Sequence, residues 1–246
     1  MLDVPPSLLP LLDALASSRG AVAVVLGGSR ASGAATASSD WDIGVYYRGD
    51  LDVAPLARFG EVHPPGAWGR IMNGGAWLSI EGAKVDVLFR DLDRVDEFCA
   101  RARRGSFDVD ALLGYVAGVP TYMLMAERAA ARTLRGDLPP VGDYPEALAE
   151  AAAPRWRFCA DFSFAYAKMQ AERGNVAGAV GQVVKALYEE AHGRVAGARR
   201  WVLNEKHLLA AAGLSSADDW FRAVPTEPES LGAWVDQARA SLRKSL

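Results

Sequence analysis

The chain has 246 residues, half of them hydrophobic, which suits one large domain or two small ones with a substantial buried core. Its 27 Lys and Arg against 30 Asp and Glu leave a formal net charge of −3. That balance argues against wholesale binding to a nucleic-acid backbone, and no segment approaches the ~20 apolar residues of a membrane span. In chain order, residues 7–18 read as an amphipathic helix and residues 21–26 (AVAVVL) as a short β-branched strand ended by Gly27-Gly28. Residues 29–37, rich in Ala and Ser, predict a short helix whose N-terminus points back at the glycine turn. Free amides there, with no side chains at Gly27 and Gly28 to block approach, suit phosphate oxygens.

Asp40 and Asp42 follow, two apart at the mouth of a second strand over residues 43–47. Alternate residues of an extended chain face one side, so the two carboxylates converge while Trp41 turns away. Two such groups beside a phosphate cradle suit Mg²⁺, a hard cation that takes oxygen ligands and shares them with substrate phosphates. Residues 75–80 and 84–89 predict two more strands joined by the turn Glu81-Gly82-Ala83. Asp86 stands inside the second, in KVDVLF, where a lone carboxylate is costly without a cation. Beside the Asp42 strand it would complete a three-carboxylate cluster able to hold two metals about 3.5–4 Å apart. No Lys-Ser or Lys-Thr follows the glycines at P-loop spacing, and Gly27, Gly28 and Gly33 do not form a dinucleotide fingerprint.

From Asp91 onward β signals almost vanish and helical patterns dominate. Residues 92–103 and 110–135 predict helices, the second interrupted around Gly118-Val119-Pro120. Gly136 is read as a C-cap that opens the linker 136–140. Residues 144–173 predict a long helix, with a kink expected at Pro154. Its Phe158, Phe162, Ala165 and Met169 form one apolar face, and Trp156, Cys159, Ala160 and Ser163 add another. A helix apolar on two sides belongs inside a bundle. Further helices are expected over residues 176–192, 201–212, 217–224 and 231–246. The fold class is therefore α+β: a small mixed sheet of about four or five strands in the N-terminal part, followed by a C-terminal helical bundle. Domains are expected at 1–141 and 142–246.

Gly28-Ser29, then Asp40-x-Asp42, then Asp86 on a later strand resembles the signature of the polymerase-beta-type nucleotidyltransferase superfamily. The motifs span roughly residues 20–90, and the two-domain length is similar to the bacterial antibiotic (aminoglycoside and lincosamide) nucleotidyltransferases. The resemblance implies that Gly28, Ser29 and the turn amides hold a nucleoside triphosphate, ATP first. It also implies that Asp40, Asp42 and Asp86 are catalytic and bind Mg²⁺, two ions in all, with Asp86 or Glu127 as the general base. Arg30 could reach a phosphate or pair with a carboxylate. Lys206, in the segment Asn204-Glu205-Lys206, is similar to a lysine brought towards the triphosphate in related two-domain proteins, and Lys185 and Tyr188 are fainter cleft candidates. The activity implied is transfer of AMP to a hydroxyl of a small acceptor such as an aminoglycoside-like antibiotic. The alternatives are a protein AMP-transferase of the antitoxin kind and a nucleotide-binding regulator without turnover.

Cys99 and Cys159 are too few and too far apart for a disulfide framework or a zinc site and are expected as buried thiols. His63, His192 and His207 show no metal-ligand spacing. The residues before Arg19 hold no Lys or Arg and two early prolines, unlike a secretory signal, so a cytoplasmic protein without membrane or nucleic-acid partners is expected.

Overall fold

A computed structural model describes residues 4–33, 35, 36 and 38–244. The chain divides into two compact units, Met1–Ala100 with Leu124–Asp143 and Arg101–Met123 with Tyr144–Leu246.

In chain order the first unit begins with α1 (Leu9–Ser17), β1 (Ala21–Leu26), α2 (Gly28–Ser32) and β2 (Trp41–Tyr47). There follow β3 (Gly60–His63), α3 (Gly69–Met72), β4 (Gly74–Ile80), β5 (Ala83–Asp91) and α4 (Leu92–Arg103), whose last turn enters the second unit. The short strands β6 (Val109–Asp110) and β7 (Val119–Pro120) belong to the second unit. α5 (Met123–Ala130) and β8 (Arg132–Gly136) return to the first.

Six strands form one mixed sheet in the order β3-β4-β5-β2-β1-β8. β2 and β5 run parallel and the other neighbours antiparallel. The β4–β5 hairpin closes through Glu81 and Gly82, both at positive φ (49° and 84°), between the paired residues Ile80 and Ala83. Two such residues make the turn whose twist matches that of the strands. Period-two alternation then divides the sheet. One face sends Leu26, Ile43, Val45, Leu78, Val85, Val87 and Phe89 into a core closed by Leu8, Leu11, Leu12 and Leu15 of the N-terminal helical segment. The other face carries Asp42, Trp77 and Asp86.

Two expectations need correction here. The helix predicted over 29–37 ends at Ser32, because Gly33 takes the left-handed conformation (φ 77°) and caps it; Ala34 and Ala37 lie outside the described residues. The helix predicted over 110–135 is instead β6, β7, α5 and the edge strand β8, which pairs antiparallel with β1. Gly136 is accordingly not a helix cap. Its φ is 72°, and a Cβ there would lie 2.1 Å from the Val22 carbonyl oxygen. Only glycine lets the end of β8 approach β1 so closely.

The second unit is mainly helical: α6 (Glu146–Glu172), α7 (Val176–Gly197), the short α8 (Leu208–Ala211) and α9 (Pro228–Lys244). The helix expected over 201–212 is a 3-10 turn, Glu205–His207, followed by α8, and the one expected over 217–224 is a 3-10 segment at Ser215–Arg222. α6 runs continuously through Pro154. It buries one face only, with Trp156, Ala160, Phe164, Ala167 and Ala171 packed in the core of the unit. Phe158, Phe162 and Met169 are 68%, 55% and 43% exposed, so the helix is not apolar-packed on two sides as the sequence pattern implied. Phe158, Phe162 and Tyr166 stack on one another along the outside instead. Neither cysteine is in a disulfide; Cys99 is buried and Cys159 only partly so. Among the described residues no helix is long and apolar enough to cross a membrane.

Candidate active site

The site grows from the register of the two parallel strands. Asp42 on β2 and Asp86 on β5 are directly paired, so their side chains leave the same face one strand spacing apart, about 4.8 Å. β1 delivers the glycine turn to the same place, since the Gly27 amide donates to the Asp42 carbonyl oxygen at 2.8 Å. Gly28 has φ 59°, and a Cβ on it would fall 1.8 Å from Oδ2 of Asp42. The carboxylate therefore lies directly against the turn, in space that any side chain would take. Ser29 follows in the first turn of α2, partly exposed.

Asp40 precedes β2 and is exposed. Its charge is felt at Asp86, whose carboxyl is pushed above the usual carboxylate range by partial burial first and by Asp40 second, with Lys84 acting in the opposite direction. Asp42 and Asp86 thus share one face, and Asp40 and Asp86 at least one repulsive interaction. They do not converge into a ready cage: among the described residues no group of three Asp, Glu, His or Cys side chains is close enough to hold a metal as it stands.

Arg30, for which two roles were open, is engaged with the loop behind it. Its Nε and Nη2 donate to the carbonyl oxygens of Asp40 and Ser39 at 3.1 and 2.6 Å, and its guanidinium lies 4.2 Å over the Trp41 ring. It fixes the backbone that carries Asp40. Glu127 is committed as well. Both of its oxygens accept from Arg90, at 2.8 Å from Nε and 2.7 Å from Nη2, and Arg90 is 1% exposed. The fork-to-fork pairing turns both oxygens of Glu127 towards the Arg90 guanidinium. Lys206 lies in the second unit, exposed, with its backbone amide capped by the Asn204 side chain. Lys185 stands 3.6 Å from the buried Glu189.

Sequence reasoning did not single out Trp77. It is paired directly with Asp86 from the next strand, β4, and is 53% exposed. The signal was present in the alternation of Gly75, Trp77 and Ser79 against the apolar Ala76 and Leu78. The Arg90–Glu127 pair, formed across 37 residues of sequence, left no local signal.

Residues 11–105 match the family described as nucleotidyltransferase domain. This segment, which contains the glycine turn and the aspartates, is thus similar to nucleotidyltransferase domains. Among solved structures, a nucleotidyltransferase-like protein from Exiguobacterium sibiricum is similar at 10% identity and TM-score 0.49, over 97% of this chain and 74% of that one. An aminoglycoside 6-adenyltransferase from Bacillus subtilis is similar at 12% identity and TM-score 0.33, over 95% and 84%. No curated protein matches the sequence.

Proposed function

We propose that the protein transfers a nucleoside monophosphate, AMP from ATP, to a hydroxyl of a small acceptor, with Asp40, Asp42 and Asp86 as its metal-binding carboxylates. The observation that carries this reading is the parallel pairing of Asp42 with Asp86 beside a glycine turn that Asp42 itself touches. The donor set fits Mg²⁺ in kind: all oxygen and at least partly exposed, with Asp86 raised first by burial and then by Asp40, whose repulsion a divalent cation would relieve. When bound there, the metal would neutralise triphosphate charge and orient the α-phosphate.

The chain's own groups divide the remaining work. The Gly27–Gly28 turn and Ser29 give the triphosphate close access to backbone amides. Asp86 takes the proton of the acceptor hydroxyl as the general base. The acceptor oxygen then bonds to the α-phosphorus in line, the bond to the bridging oxygen breaks, and pyrophosphate leaves with the electron pair. Glu127 is set aside as the base because Arg90 holds it. Positioning and charge neutralisation supply most of the rate gain.

The reading is tested with ATP labelled in turn at the α- and γ-phosphate, Mg²⁺, and a panel of aminoglycosides, lincosamides and other hydroxylated metabolites. Label from the α-position alone should appear on the acceptor, with pyrophosphate released. Label from the γ-position would mean phosphoryl transfer and end the proposal. Lys206 is carried as a further cation for the triphosphate; Lys206→Ala should lower ATP affinity measured calorimetrically, and unchanged affinity makes it a surface lysine.

A further inference from the structure

The outer face of α6 carries a pattern that the interior of its unit does not use. Arg155, Phe158, Phe162, Ala165, Met169 and Glu172 follow one another at alternating steps of three and four residues, and all six are exposed. Trp156, Ala160, Phe164 and Ala167, which the unit does bury, fall between them on the other side of the helix. Steps of three and four average 3.5 residues, the spacing of a helix seam packed on a second helix. Phe158, Phe162 and Tyr166 lie ring beside ring, with centroids 6.2 and 5.0 Å apart, and Met169 continues the row. The seam from Arg155 to Glu172 is about 25 Å long at 1.5 Å per residue.

At roughly 200 Å² per side chain, the open fractions of Phe158, Phe162, Tyr166 and Met169 leave about 400 Å² of contiguous apolar surface in water. Patches of this size on a soluble chain mark contacts. The charges at its ends say what fits. Arg155 closes the seam at one end and Glu172 at the other, and neither is in an ion pair among the described residues. Arg155 only donates to the Phe107 carbonyl oxygen, at 2.6 Å, and lies over the Phe107 ring. The charges that flank the seam are already matched within the chain: Asp161 binds Arg239 and Arg243, and Lys168 binds Asp236. A seam with a cation at one end, an anion at the other and rings between is complementary to itself when reversed. A parallel pairing would set like charges together at both ends. An antiparallel pairing slipped by one heptad would set Phe162 against Glu172, or Arg155 against Ala165.

We propose that this face binds a second copy of the chain, the two α6 helices packing antiparallel about a two-fold axis that passes between Ser163 and Phe164. Phe158 then meets the partner's Met169, Phe162 meets the partner's Ala165, and Arg155 pairs with the partner's Glu172. Each contact occurs twice by symmetry. Two such patches with their flanking residues bury about 1,000 Å² in all, the low end of specific interfaces, so the dimer forms at micromolar concentrations and dissociates on dilution. The interface is independent of the nucleotidyl-transfer reading.

The test is sedimentation velocity of the full chain from about 1 to 200 μM, with a melting curve for every variant. The wild type should pass from monomer to dimer within that range. Phe162→Asp should weaken association more than about a hundredfold, because symmetry removes the ring at two places, and should melt like dilute wild type because the ring is not in the core. Arg155→Glu and Glu172→Arg should each weaken self-association about tenfold by setting like charges together at both ends. Mixed with each other, those two variants should dimerise again, since every end then carries opposite charges. Should Arg155→Glu melt low through loss of its Phe107 contacts, Glu172→Arg alone reads the register through its repulsion of the partner's Arg155. A wild type that stays monomeric at 200 μM would overturn the proposal, as would a dimer unchanged in Phe162→Asp. Folded charge variants that associate like wild type, or that stay apart when mixed, would overturn the antiparallel pairing.

Discussion

The two faces of the sheet are made by the same strands and differ in nearly everything else. On one face Ile43, Val85, Val87, Leu78 and Phe89 are at most 5% exposed and pack under the leucines of the N-terminal helical segment. On the other, Asp42, Asp86, Trp77 and Glu61 form an open or half-open row. Further along β2 and β5 that second face is closed again, where Tyr46 and Arg90 are buried and Arg90 binds Glu127. The open stretch is therefore confined to the start of β2 and the middle of β5. One face supplies the stability that lets the other carry adjacent carboxylates whose repulsion works against folding.

Substitutions on the two faces should separate accordingly. Phe89→Ala, in the closed core, should cost about 3–5 kcal/mol in chemical denaturation, as large-to-small changes of buried aromatics do. Glu127→Ala should cost a similar amount, about 3–5 kcal/mol, because it strands the Arg90 guanidinium in the interior. A Glu127→Ala protein as stable as wild type would mean that the pair is not formed, and would reopen Glu127 as a base. Gly28→Ala should cost less, about 1–2 kcal/mol for the left-handed backbone, yet should abolish transfer, since the new methyl displaces the Asp42 carboxylate. Normal turnover in that variant would contradict the contact between turn and carboxylate.

Asp86→Asn should have the smallest effect on stability, and in the opposite direction. The folded-state pKa of Asp86 lies above its unfolded value, so its ionised form disfavours folding, and stability falls as pH rises through that window. Removing the charge should raise the melting temperature of the metal-free protein near neutral pH. The advantage should vanish below the ordinary carboxylate range, where Asp86 is protonated in both states. A variant less stable than wild type at neutral pH would show that the carboxylate is already paired without metal.

Much of this was legible in the sequence. The strands of AVAVVL and KVDVLF, the glycine turn and the alternation of Asp40 and Asp42 are local signals, each contained within a few residues. Asp86 was conspicuous because an acid interrupts an apolar run. β8 was missed because Arg132–Gly136 continues a helical composition and becomes a strand only by pairing with the open edge of β1, more than a hundred residues earlier. α6 misled in the other direction: its Phe158, Phe162 and Met169 have the spacing of a packed face but stand in solvent, and periodicity records a stripe without saying what covers it. Trp77 lay in a strand that had been recognised. Its place beside Asp86 came only from the register.

The central claim is that the aspartates on the open face are the catalytic metal ligands of a nucleotidyl transfer. It is tested most directly by measuring Mg²⁺-dependent pyrophosphate release and AMP transfer in the wild type, Asp40→Asn and Asp42→Asn, each first shown to be folded. Each substitution removes a negative oxygen ligand while nearly preserving shape, so transfer should fall to background in both variants although their melting temperatures match or exceed that of the wild type. Transfer that survives both substitutions would contradict the account.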